Sequence, residues 1–305
     1  ELLAGAGRVH LLVTSRSPVG VGGERLYPVE PLPHAQAIEL LIDRIQAHRP
    51  GYDPSVDEQD ALGRLARSLS GLPLALELAA ARIRALPPAA LLERLDGQLD
   101  LLATTRRDLP ERQRTMRGAI EWSYRLLDPE ATEVLQALSL YPAPARLEAI
   151  AATAAVDEVA TLDGLSKLID ASLVRLVDSA GPPRYTMLEP VRLYAEEQLA
   201  IAGQVATAQR RMLRWFRDAA DGAWRADDDL LALFRPDIDS IVRCLGRAAD
   251  AEDLALTIEL IHRLAFDVFY AIGITDVLAP WLTALSGRER ELSRGVRAQL
   301  DCASV

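Results

Sequence analysis

Proline and glycine interrupt this chain too often for a long helix to run through its N-terminal part. Breaks fall at Pro50-Gly51, at Gly71 with Pro73, at Pro87-Pro88 and at Asp128-Pro129. Between them lie runs dominated by Ala, Leu and Arg, residues that favour helix. Ile38, Leu41, Ile42 and Ile45 recur at helical spacing, as do Leu62, Leu65, Ala66 and Leu69. Asp57 is placed to cap the second of these helices. A third spans Pro73 to Leu86, and a fourth begins at Pro87-Pro88 with Leu91, Leu92 and Leu95 on one face. Four short helices with tight turns make a small bundle, assigned to residues 34–103. In "SGLPLALELAAARI" (Ser70–Ile83), Gly71 reads as the left-handed residue after a helix and Pro73 as the first-turn residue of the next.

A second unit follows, assigned to residues 104–203. Two helices are split at Asp128, an N-cap with Pro129 behind it. A short helix near Leu147–Ala154 and one over about Asp157–Ala171 come next. Two β-like runs, "SLVRLVD" and "RYTML", flank the loose loop Ser179–Pro183, and a helix from Val191 to Ala202 closes the unit. Three helices, a two-stranded wing and a flanking helix form a winged-helix pattern. After Gly203 the chain reads helical throughout, so residues 204–305 are assigned to the start of a helical, TPR-like array, although no clean repeat period is present. At the other end, "VHLLV" (Val9–Val13) is a continuous apolar run that reads as a buried parallel strand, in a segment assigned to residues 1–33. "ERLYPVEPL" reads as a further short extended piece. The fold class is therefore mainly α.

Taken together, these pieces resemble the STAND class of NTPases, in particular the NB-ARC-type large regulators of bacteria. The resemblance is carried by "VHLLVTSRSPVGVGGERLYPVEPL", "LSGLPLALELAAARI", "LPERQRTMRGAIEWSYRLLDPEATEVLQALSLYP" and "RYTMLEPVRLYAEEQL". It implies that residues 1–33 are the remnant of a P-loop α/β sheet and that Gly71-Leu72-Pro73 is the motif whose proline packs on the nucleotide base. It also implies that Arg16 faces the terminal phosphate, with Thr14, Ser15 and Glu189 as further sensor positions. A rigid ring without N–H suits a base, and a forked, permanently charged guanidinium suits a phosphate. Two departures stand out. No G-x-x-x-x-G-K-[ST] loop or Walker B acid is present, so phosphoryl transfer lacks its machinery. Where one branch carries Met-His-Asp, this chain reads Met187-Leu188-Glu189, and Leu188 cannot donate to phosphate.

The expected role is thus a part of a nucleotide-controlled regulator, not itself an enzyme. ADP or ATP would be bound in the complete parent and no nucleotide tightly by this chain alone. Its partners would be the missing P-loop domain, in cis or in trans, and a protein or small ligand at the helical array. The chain opens on Glu1 and not on Met, which reads as a fragment. The alternatives are a stand-alone helical interaction module and a DNA-binding winged-helix transcription factor. Charge argues against the last. The formal net charge is −10, and the third winged-helix helix sets Asp157, Glu158, Asp163 and Asp170 against Lys167, the only lysine in the sequence. Cys244 and Cys302 form no metal or redox motif, which fits a reducing cytoplasm. No apolar run is long enough to span a bilayer. His10, His34, His48 and His262 lie at no ligand spacing, and "ADDDL" reads as a helix cap. Arg112, Arg114, Arg117 and Arg125 read as a solvated basic stretch, and Trp122, Trp215, Trp224 and Trp281 as core.

Overall fold

The computed structural model describes residues 12–15, 18–95, 101–102, 115–177, 181–246 and 251–273. The run Val9–Leu11, Arg16, Arg112, Arg114, Trp281 and Cys302 lie outside them. Leu12–Ser15, the described part of the expected strand, is coil and not strand, and Leu12 is 98% exposed where a buried parallel strand would cover it. The expected extended piece before Pro33 likewise forms no strand; Tyr27 and Val29 are exposed.

Helices α1 (His34–Gln46), α2 (Val56–Ser68), α3 (Pro73–Arg82) and α4 (Pro88–Leu95) form the bundle. Each gives its apolar stripe to the others: Ala37, Leu41 and Ile45 from α1, Leu62 and Leu65 from α2, Leu76 and Ala79 from α3, Leu91 and Leu95 from α4. The start of α2 departs from the sequence reading. Ser55 is the N-cap and forms a reciprocal capping box with Glu58, at 3.3 and 3.1 Å. Asp57 instead sits inside the first turn, where its charge meets the positive end of the helix dipole.

The second unit comprises α5 (Met116–Tyr124), α6 (Pro129–Leu138), β1 (Ala145–Arg146), α7 (Leu147–Ala154), α8 (Glu158–Asp170), β2 (Val174–Val177), β3 (Arg184–Met187) and α9 (Glu189–Ile201). Asp128 caps α6 as expected, accepting from the Ala131 N–H at 2.8 Å, with Pro129 behind it. The sheet is antiparallel in the order β1-β3-β2, with Tyr185 paired to both Ala145 and Leu176. This is the winged-helix order, and β1 completes it. Two residues long, β1 gives no periodic signal in the sequence; its identity comes from pairing alone.

Beyond α9 the chain continues as α10 (Val205–Ala226), α11 (Leu230–Phe234), a 3₁₀ turn (Arg235–Asp237), α12 (Ile238–Leu245), α13 (Ala251–Leu264) and a π-helical turn (Ala265–Tyr270). Helix α10 packs on α7 on one side and on α13 on the other, so the array and the winged helix share a core. Asp229 caps α11 as expected of "ADDDL", accepting from the Ala232 N–H at 3.0 Å. Two tryptophans are not core. Trp122 and Trp224 are half exposed, Trp224 beneath the Arg263 guanidinium at 5.7 Å from its ring centre. Trp215 packs against the core as expected.

A buried charge cluster joins the wing to the array. Asp237 is 1% exposed and accepts two hydrogen bonds from Arg184, at 2.6 and 3.0 Å. Arg146 Nη2 lies 3.1 Å from the same carboxylate, beneath Trp215 and Phe234. Two buried guanidiniums thus share one carboxylate, and Arg146 Nε lacks a hydrogen-bond partner among the described residues. Burial, followed in weight by opposing influences of Asp237 and Arg184, leaves the Arg146 pKa below its ordinary value. Removing the shared carboxylate should therefore cost far more than removing the surplus cation. Asp237→Asn should lose about 3–5 kcal/mol in urea unfolding, because two buried charges lose their partner. Arg146→Met should lose clearly less, since Arg184 keeps both its bonds to Asp237.

Candidate functional site

The site is the corner between α2 and α3, and its chemistry begins with how α2 ends. The Gly71 N–H donates to the Ala66 carbonyl at 3.1 Å and the Ser70 N–H to Arg67 at 2.9 Å. That pair of bonds is a Schellman ending, which makes Ser70, at φ +53°, the left-handed residue directly after the helix. Gly71 follows it, also left-handed at φ +64°. The sequence reading put glycine one place too early, and the reason for the shift is tertiary. A Cβ on Gly71 would lie 2.4 Å from the Leu32 carbonyl oxygen. The Leu32 N–H in turn donates to the Gly71 carbonyl at 3.0 Å. In Pro31-Leu32-Pro33 only Leu32 owns an N–H, and it is spent on this corner.

Ser70 carries its strained backbone with a tertiary partner. Its Oγ accepts from the Glu189 N–H at 3.0 Å, across 119 residues of sequence. Glu189 opens α9, whose N-cap, Leu188, has no side chain able to cap it. One of the free N–H groups at that helix start is therefore satisfied by the corner of another unit. The Glu189 carboxylate takes two hydrogen bonds from the Arg192 guanidinium, at 2.8 and 2.6 Å. Pro73, the first residue of α3, is exposed, Leu72 is half-buried and Gly71 is buried.

Of the residues singled out in the sequence, Glu189 is thus tied through its N–H to Ser70, the residue that precedes Gly71, Leu72 and Pro73. Thr14 and Ser15 are exposed coil, and Arg16 lies outside the described residues. Ser70 and Arg192 were not singled out. Arg192 was detectable from its spacing, three residues after Glu189 and four before Glu196. Ser70 had no such signal, because its partner is distant in sequence. Among the described residues no group of His, Cys, Asp and Glu is placed to hold a metal ion, and no helix is long and apolar enough to cross a membrane.

The winged helix offers a second surface, the outer face of α8. It exposes Val159, Leu162 and Ile169 beside Asp163 and Asp170. Lys167 does not relieve the negative charge, since its Nζ sits 2.5 Å from Asp128 Oδ2. That hydrogen bond, with the Ala131 N–H, lowers the Asp128 pKa below the usual carboxylate value. Of the basic stretch before α6, Arg117 pairs with Glu197 at 2.7 Å and Arg125 with Glu121, so both engage carboxylates on their own unit.

Residues 127–200 match the winged helix-turn-helix domain family. The chain is 36% identical over 252 residues to a Mycobacterium tuberculosis protein that bears the name "Putative HTH-type transcriptional regulator", covering 79% of this chain and 28% of that protein. It is 30% identical over 253 residues to the regulatory protein AfsR of Streptomyces griseus, covering 77% of this chain and 24% of that protein. An uncharacterized M. tuberculosis protein is 32% identical over 209 residues, covering 67% of this chain and 53% of its own length. The chain therefore spans between about a quarter and about half of these relatives. It is a mainly helical, winged-helix protein similar to transcriptional regulators.

The corner predicts its own sensitivity. Gly71→Ala combines a left-handed backbone with a collision against Leu32, and should lose at least about 2 kcal/mol in urea unfolding. Gly203→Ala has a similar φ of +68° but open space where its Cβ would stand. It should lose only about 1 kcal/mol.

Proposed function

We propose that this chain is the control part of a nucleotide-switched regulator of the STAND, NB-ARC-like kind. In this reading Pro73 faces the base of an ADP whose phosphates are held by a P-loop domain, joined in cis or supplied in trans. Arg16 reaches toward the terminal phosphate, with Thr14, Ser15 and Glu189 as accessory sensor positions. Exchange of ADP for ATP releases the bundle and the winged helix from that domain, a two-state population shift. The helical array receives the signal, as a protein or small ligand. The chain itself performs no phosphoryl transfer, for want of a phosphate loop and a Walker B acid.

One observation carries the reading: the two motifs of the resemblance, Gly71-Leu72-Pro73 and Met187-Leu188-Glu189, meet through Ser70 and the Glu189 N–H. Two segments so far apart in sequence gain nothing from local geometry by meeting, and the contact leaves Pro73 outward-facing.

The test is a binding measurement. This chain alone should bind ADP only at the millimolar level, about 4 kcal/mol, because most such affinity comes from phosphate contacts. Joined to its upstream P-loop domain it should bind tightly, and Pro73→Ala should weaken ADP more than pyrophosphate. Equal losses for the two ligands would mean that Pro73 is only a helix-start residue.

A second reading, a DNA-binding transcription factor, is favoured by the winged helix-turn-helix match and by the names of the relatives. The acidic, partly apolar face of α8 opposes it, since that face would have to approach phosphates. A mobility-shift assay at moderate salt should show no complex with duplex DNA. A sequence-dependent shift that weakens in Lys167→Ala would establish the second reading instead.

A further inference from the structure

The Glu189–Arg192 pair is not the end of its hydrogen-bond chain. Arg192 is 6% exposed. Its Nε and Nη2 edge binds Glu189, while Nη1 donates to Glu196 at 2.7 Å and to the Ser139 carbonyl at 3.3 Å. Both Glu196 oxygens also accept from Arg243 Nη2, at 2.9 and 2.7 Å. Arg243 stands on α12, in the C-terminal array. A run of charge-assisted bonds therefore leads from the Glu189 carboxylate through Arg192 and Glu196 to Arg243, and the Glu189 main chain adds a neutral bond from its N–H to Ser70. It joins the α2–α3 corner, the last helix of the winged unit and the array.

We infer that Arg192 is a positioning residue that couples the Ser70–Glu189 junction to the C-terminal helices. The chemistry favours transmission over mere adhesion. A guanidinium is planar and its donors are fixed, so both carboxylates must be in register with one plane. Burial of Arg192 leaves its donors little water as an alternative partner. If α12 withdraws Arg243, Glu196 loses a cationic partner, and the Arg192 guanidinium turns toward it. Glu189 then loosens, and with it the N–H that Ser70 caps. The same steps run backwards from the corner, as coupling between sites must. As regulation this rests on the corner being the nucleotide-facing point proposed above; as a mechanical link it does not.

The experiment uses the chain as it is, without nucleotide, so a failure of the nucleotide reading cannot mimic its result. Amide hydrogen exchange is followed at Glu189, whose N–H depends on Ser70. Arg243→Gln should accelerate that exchange roughly tenfold, the loss of about one net hydrogen bond's protection. Glu196→Gln, which keeps the shape and removes the charge, should do the same. Arg117→Gln breaks a pair of similar length to Glu197 on the same helix α9, and should leave the Glu189 amide unchanged. Ser70→Ala and Arg243→Gln should lower Tm by less in combination than the two single losses predict. Unchanged exchange at Glu189 in both Arg243→Gln and Glu196→Gln, or strictly additive Tm losses, would overturn the inference. An equal acceleration in Arg117→Gln would do so too, by reducing the effect to general loosening of α9.

Discussion

Arg192 places a permanent charge in a position almost closed to water, and much of the junction follows from that constraint. A buried guanidinium is tolerated only when its donors are met and its charge is balanced. Glu189 and Glu196 supply the balance and the Ser139 carbonyl takes a further donor. Burial would lower its pKa, but the hydrogen bonds and charges of the two carboxylates hold it above the ordinary arginine value. These bonds tie the first turns of α9 to the end of α6 and, through Glu196, to the array. Ser70 and Arg243 attach at the two ends of that arrangement.

A second buried charge cluster occurs at the wing, with the shared group now a carboxylate. At Glu196 and Glu189 carboxylates outnumber the central guanidinium; at Asp237 two guanidiniums share one carboxylate. Both clusters span the boundary between the winged helix and the array. Packing runs across the boundary assigned near Gly203: α10 lies on α7, and Arg184 of β3 reaches Asp237 of the array.

The outer surface of α8 is where the proposed reading and a DNA-binding one make different demands. Its buried side, Thr161, Leu165 and Leu168, does what the third helix of such a domain must do for the core. Its outer side carries apolar and acidic residues, and the lysine that would favour phosphate is held by Asp128.

Much of this fold is legible in the amino-acid order. The bundle helices announce themselves through apolar spacing, α6 through Asp128-Pro129, and the wing through two β-rich runs around a Gly-Pro loop, because each signal is local. What the sequence could not display were features whose cause lies elsewhere in the chain. Strand β1 exists only because β3 lies beside it. Ser70, Ala155, Ser172 and Asp227 all take the left-handed backbone that a glycine search would miss. Gly71 is glycine because the Leu32 carbonyl leaves no room for a Cβ. By itself the sequence determined the helices, their order and the motif that turns at Pro73. Tertiary structure alone decided that this turn caps α9, and that the cap continues through Arg192 to the array, since hydrogen bonds between distant segments leave no periodic trace in the residues that make them.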